Sequence, residues 1–132
     1  MNDRYLFRAK RIDNGEWIVG DLSHHKTGKV FIKPLNGSAI STCEVDKHTI
    51  CQCTGLTDKN GNKIWENDVV GFWDTYSTEN GYAEADCIGK VVWDDETLSF
   101  QVTERLSAES YEVLDECSVI GNIFDNPKLM YE

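Results

Sequence analysis

The stretch Gln52–Val70, QCTGLTDKNGNKIWENDVV, sets two chain reversals and two short apolar runs side by side. Asp58 can bond its own backbone two residues on, and Asn60-Gly61 tolerates positive φ, so residues 58–61 predict a tight turn. The chain then leaves through Lys63, Ile64 and Trp65 and turns again at Glu66-Asn67-Asp68. Asn67 suits the left-handed position of that second turn, because Asn is the commonest residue other than Gly to adopt it. Val69-Val70-Gly71-Phe72-Trp73 follows, a β-branched and aromatic run that predicts a strand. Reversals this close together belong to an antiparallel β fold.

Outward from this stretch the same grammar repeats. Leu6–Ile12 and Glu16–Leu22 flank Asp13-Asn14-Gly15 and predict a hairpin, with a second turn at His24–Gly28 before Val30-Phe31-Ile32. Pro34, Asn36 and Gly37 break the chain, and Ser38–Glu44 reads as a loop or weak strand. Residues 74–86, DTYSTENGYAEAD, predict an exposed loop or a long hairpin tip. Ile88–Trp93 and Leu98–Thr103 form a further hairpin around Asp94-Asp95-Glu96-Thr97, whereas Glu104–Glu116 is compatible with a short helix or a loop. Ser118–Phe124 predicts the last strand, and Asn126-Pro127 fits an N-cap followed by Pro, opening one helical turn that carries Leu129 and Met130 onto the core. The Asn-Gly pairs at 14, 36, 60 and 80 have unrelated flanks and are four turns, not a repeat. Trp17, Trp65, Trp73 and Trp93 are read as core.

Composition bounds the function. A chain of 132 residues with 40% hydrophobic content supports one domain with its own core. No apolar run approaches the roughly 20 residues of a membrane helix, and Met1-Asn2-Asp3-Arg4 leads into no apolar signal segment, so the expectation is no membrane and the cytoplasm of the producing cell. The five cysteines, at 43, 51, 53, 87 and 117, are an odd number and read as reduced thiols, with Cys51 and Cys53 on one strand face. The net charge of −10 is unevenly spread: residues 1–66 carry ten basic against eight acidic side chains, and residues 67–132 carry three against fifteen. Such a field repels phosphate backbones, which disfavours nucleic acid as a partner.

Candidate chemistries fail on spacing. Asp58-x-Asn60-x-Asn62 imitates the opening of a calcium loop, but Lys63 and Val69 stand where the essential Gly and Glu belong. Cys43, His48, Cys51 and Cys53 lack the paired knuckles of structural zinc, and His48 has no orienting third group for a Cys-His nucleophile. His24-His25 falls in a solvated turn. No phosphate-binding, dinucleotide or hydrolase signature occurs, and Asp94-Asp95 lies at a hairpin tip rather than in a cleft. The expectation is no metal, no cofactor and no catalytic residue.

The pattern Q-x-T-G-L-x-D-x-N-G-x-x-I-x-E-x-D-x-V in residues 52–70 resembles the central motif of the YopX family of small phage and prophage proteins. Asp13-Asn14-Gly15-Glu16-Trp17 with Gly20-Asp21, and Val119-Ile120-Gly121-Asn122-Ile123 with Asn126-Pro127, extend the resemblance over nearly the whole chain. Asn67 stands where that family usually has Gly, and Cys53 where it usually has an aromatic residue. The resemblance implies a single all-β YopX-like domain over residues 1–132. Its N-terminal meander covers about 1–49, and a small, partly open Src-homology-3-like barrel covers about 50–125. It implies structural rather than catalytic roles for Thr54, Gly55, Leu56, Asp58, Gly61, Ile64, Glu66, Asp68, Gly121, Asn122, Asn126 and Pro127. The function expected is that of a non-enzymatic phage accessory protein that binds another protein of phage or host. The alternatives are a nucleic-acid-associated protein using its basic first arm and, last, a hydrolase. Arg4, Arg8, Lys10 and Arg11, with Asp94, Asp95 and Glu96, offer complementary surfaces for a partner or for head-to-tail self-association.

Overall fold

The structure, a computed structural model, describes residues 4–34, 42–106, 109–113 and 116–131. The fold is all-β and antiparallel, and it separates into two compact units, residues 1–55 and 56–132. Among the described residues neither sheet closes on itself, and no helix is long and apolar enough to cross a membrane.

In the first unit β1 (Phe7–Lys10), β2 (Trp17–His24), β3 (Val30–Pro34) and β4 (Cys43–Val45) form a meander, and β5 (Cys51–Thr57) pairs on the far side of β1. Period-two patterning drives it: Ala9, Val30, Ile32 and Val45 form the buried face, packed by Phe7, Ile18, Leu22 and Ile50. The sheet curls enough for β4 to reach the end of β1, where the Ile12 N–H donates to the Glu44 carbonyl at 3.1 Å and the Asp46 N–H to the Lys10 carbonyl at 2.8 Å. Cys51 and Cys53 are both fully buried, as their shared strand face predicts, and none of the five cysteines is joined in a disulfide. The expected break at Asn36-Gly37 lies outside the described residues.

In the second unit β6 (Lys63–Trp65) precedes a sheet of order β10-β9-β8-β7-β11, built from β7 (Asp68–Thr78), β8 (Gly81–Asp94), β9 (Ser99–Glu104), β10 (Ser110–Glu112) and β11 (Ser118–Asn122). Ile64, Val70, Val91, Val102 and Cys117 form its core, with Phe72, Phe100, Tyr111, Val113 and Val119 against them. Residues 74–86 belong to the long hairpin of β7 and β8, whose ladder runs out to Thr78 opposite Gly81.

Three expectations are corrected. The segment 104–116, read as helix or loop, contains strand β10, because pairing with β9 lets Tyr111 pack its ring 5.2 Å from that of Phe72. Leu129 and Met130, on a 3-10 turn at Pro127–Met130, are half-buried and do not enter the core. Of the tryptophans only Trp65 is buried; Trp17 is half-buried, and Trp73 and Trp93 are 64% and 44% exposed. Strand parity explains Trp73: Val70 and Phe72 face the core, which turns Gly71 and Trp73 to the opposite face.

Candidate functional site

The motif residues of 58–68 and 119–127 converge within the second unit. Asp58, only 4% exposed, accepts hydrogen bonds from the backbone N–H groups of Asn60 (2.9 Å) and Asn62 (2.8 Å) through Oδ1 and from that of Val119 (2.9 Å) through Oδ2. The side-chain amide of Asn62 adds a longer contact at 3.4 Å. Burial pushes the Asp58 carboxyl up, but the hydrogen bonds from Val119, Asn62 and Asn60 act the other way and hold it below the usual carboxylate range. The same turn is fastened to β11 twice more, by the Lys59 N–H on the Cys117 carbonyl (3.0 Å) and the Asn60 amide on the Ser118 hydroxyl (3.2 Å). Gly61 closes the turn at φ 83°.

The second turn is built alike. Asp68, 1% exposed, accepts from the Trp65 N–H at 2.8 Å, and Asn67 takes the left-handed conformation with φ 70°. The Asn67 N–H donates to the Val91 carbonyl and its carbonyl accepts from Ile123, tying the turn to β8 and to the C-terminal segment. There Asn122 Oδ1 accepts from the N–H groups of Phe124 (3.0 Å) and Asp125 (2.9 Å), and the Asn126 side chain accepts from the Asn122 N–H at 3.3 Å. A Cβ on Gly121 would stand 2.5 Å from Asn126 Oδ1, so the motif glycine is where the loop folds back on the strand. Pro127 opens the 3-10 turn, but the Asn126 side chain faces back to Asn122 and does not cap it. Thr54 and Ile64 are buried, Glu66 is half-buried, and Gly55 has positive φ while Leu56 is exposed. The side-chain oxygens of Asp58, Asp68, Asn122 and Asn126 are thus engaged in holding backbone N–H groups.

The basic arm lies in the first unit. Arg8 and Lys10 sit over the Trp17 ring, at 4.7 Å and 5.4 Å from its centroid, and Arg11 forms a two-pronged pair with Asp13. Arg4 is exposed, and its carbonyl accepts from the Gln52 side chain. The acidic tip is in the second unit, where Asp94 Oδ1 accepts from the Glu96 N–H and Trp93 Nε1 donates to Asp95 at 2.8 Å, with Asp95 and Glu96 exposed. The unit boundary also divides the charge. Residues 1–55 carry eight basic and six acidic side chains, and residues 56–132 carry five and seventeen.

The family described as YopX protein matches residues 6–131. The chain belongs to the YopX family. A crystal structure of protein EF1440 from Enterococcus faecalis is similar in fold, with a TM-score of 0.50 and 24% identity over 94% of this chain and 96% of that one. No curated protein matches the chain. Residues 58–68 and 121–126 form two turns and a loop that hold β11, β8 and the C-terminal segment together within the second unit.

What the sequence reading missed is a groove of about 290 Å³ on the opposite face of that sheet. Gly71 forms its floor, Trp73, Ile88 and Ile120 its apolar walls, and Asp86 and Glu116 supply exposed carboxylates. Ile120 is 43% exposed, so two large apolar side chains stand in water beside acidic ones. The signal was in the strand parity of Val70, Gly71, Phe72 and Trp73, which separates Trp73 from the core.

Proposed function

We propose that this YopX family member is a non-enzymatic phage or prophage accessory protein that acts in the host cytoplasm by binding another protein, and that residues 56–132 are the binding unit. The observation that supports this most is Trp73 and Ile120, exposed together beside Asp86 and Glu116 on the acidic unit. Apolar anchors rimmed by charge are the usual composition of protein interfaces. The motif carboxylates Asp58 and Asp68 are committed to backbone N–H groups, which argues against their use as general acids or bases. The Src-homology-3-like barrel implied for about 50–125 is proposed with this function; the five-stranded antiparallel order of the second unit supports it. The nucleic-acid reading draws on Arg8, Lys10 and Arg11, which are already engaged with Trp17 and Asp13. An affinity pull-down from host lysate, read by mass spectrometry beside a gel-shift titration with mixed DNA and RNA, tests the reading. A stoichiometric protein partner is expected. Micromolar nucleic-acid binding at physiological salt with no protein partner would reverse it.

A further inference from the structure

Strand β7 is longer than the partners on its outer side. Strand β11 pairs with it only over Asp68–Gly71, and β9 pairs with β8 only over Gly89–Asp94. Beyond those limits β7 and β8 pair with each other out to Thr78 and Gly81, so they leave the sheet as a two-stranded ribbon. Among the described residues no strand lies beside the outer edge of β7 past Gly71. Backbone donors and acceptors on such an edge are a template for another strand. The groove opens at the root of this ribbon, where β11 stops.

Resting on the protein-binding reading above, we infer that the ribbon edge and the groove form one receptor for an extended, basic segment of another protein. The segment adds as a strand to β7 over residues 74–78 and sets a Lys or Arg side chain between Trp73, Asp86 and Glu116. Geometry and charge both lead there. A residue paired opposite Thr75 shares the face of Trp73, and a long side chain reaches back along the diagonal of about 7–8 Å to the groove. The exposed indole offers a cation–π face, and Asp86 is the direct cross-strand neighbour of Trp73. Residues 72–88 contain four Asp or Glu and no Lys or Arg, so the ribbon attracts cations. Among the described residues that line the groove, Lys59 is the one basic side chain.

A second copy of this chain is a poor occupant: two acidic ribbon edges repel each other, and in its basic arm Arg8 and Lys10 lie on Trp17 and Arg11 on Asp13. Acidic charge alone would also protect a bare edge from aggregation, but protection does not call for an indole exposed at the point where the edge begins. The edge of β11 itself is closed to strand addition, because Asp58 takes the Val119 N–H and Lys59 takes the Cys117 carbonyl.

The test is selection of random octapeptides on the immobilised 132-residue chain, with Trp73→Thr and Glu116→Gln as parallel baits. Both positions are exposed, and coincident thermal melts will show that the variants are folded. The enriched peptides should share Arg or Lys at one fixed position with β-branched residues at alternate positions. A synthetic peptide from this set should bind either variant about three- to tenfold more weakly, as expected for loss of one cation–π contact or ion pair. Its binding should shift the backbone amide resonances of residues 74–78. The inference is overturned if no fixed basic position emerges, or if the variants select and bind the same peptides as the parent. A lysate partner captured equally by parent and Trp73→Thr would reject this receptor while leaving the protein-binding reading intact. Failure of the parent to capture any partner would count against that reading instead.

Discussion

Asn14-Gly15 in the first unit and Asn60-Gly61 in the second carry the same turn signal, with an aspartate one residue before the first pair and two before the second, yet the two turns have different standing in the fold. Around Asn14 everything is local: Gly15 has φ 72°, the Asn14 side chain accepts from the Glu16 N–H, and Asp13 pairs with Arg11 two residues away. All four residues 12–15 are exposed. Around Asn60 the equivalent aspartate is buried and reaches across 61 positions to the Val119 N–H. An identical local preference for positive φ thus makes a solvent-facing bend in one place and the fastening of a sheet edge in the other. The difference lies in where the neighbouring carboxylate ends, not in the turn residues.

Removing the two carboxylates should break the comparison open. Asp58→Ala strands three backbone N–H groups, two in its own turn and that of Val119, so a loss of about 3 kcal/mol or more is expected in urea unfolding. Asp13→Ala should leave the urea midpoint nearly unmoved, because its partner is solvated. Equal effects at the two positions would mean that the docking of the turn on β11 contributes nothing.

Substituting the glycines should, by contrast, make the turns look alike. Gly61→Val and Gly15→Val each force a β-branched residue into the left-handed region, at about 1–2 kcal/mol. No atom stands near either would-be Cβ, so the cost is backbone strain alone. Thermal melts of the two variants should shift together, and a melt of Gly61→Val coincident with the parent would refute the role of its φ.

Acid unfolding refines the contrast further. The folded Asp58 carboxyl is held below the unfolded value of about 3.9, so its contribution is fully present above that pH and is lost as pH falls through the lower folded value. Asp58→Asn should therefore lower stability by about 1–2 kcal/mol at pH 7, and the gap to the parent should narrow steadily below pH 4. Asp13 is also held low, by its hydrogen bond from Arg11. In water that pair is weak, and Asp13→Asn should leave the acid limb of the stability curve close to that of the parent.

The smallest effect is expected at the second motif turn. Asn67→Gly keeps φ near 70° and both backbone hydrogen bonds, to Val91 and from Ile123, so stability should change by less than about 0.5 kcal/mol in either direction. A loss several times larger would show that the Asn67 side chain itself, rather than its backbone, holds the turn.

Much of this was legible beforehand. The hairpins around Asn14, Asn60 and Asp94, the left-handed Asn67 and the paired burial of Cys51 and Cys53 all follow from turn chemistry and the period of two. The segment 104–116 was not legible, because three residues of β10 hold too little pattern and the strand exists through β9 and the Phe72 ring. Trp73 was misread because its type favours a core, while its parity with Gly71 placed it outside.

By itself the sequence determined an all-β chain, the places where it reverses, its family and the concentration of acid in its second half. These are properties of neighbouring residues, of strand alternation and of counting, and they do not depend on what lies across the fold. Only the tertiary structure decided that Asp58 holds Val119, that the two motif turns and the C-terminal loop lock one unit, and that β11 pairs with β7 only as far as Gly71, two residues short of an exposed tryptophan. Each of these depends on strand registers between residues far apart in sequence, and a register is fixed by the packing of whole faces rather than by any local signal.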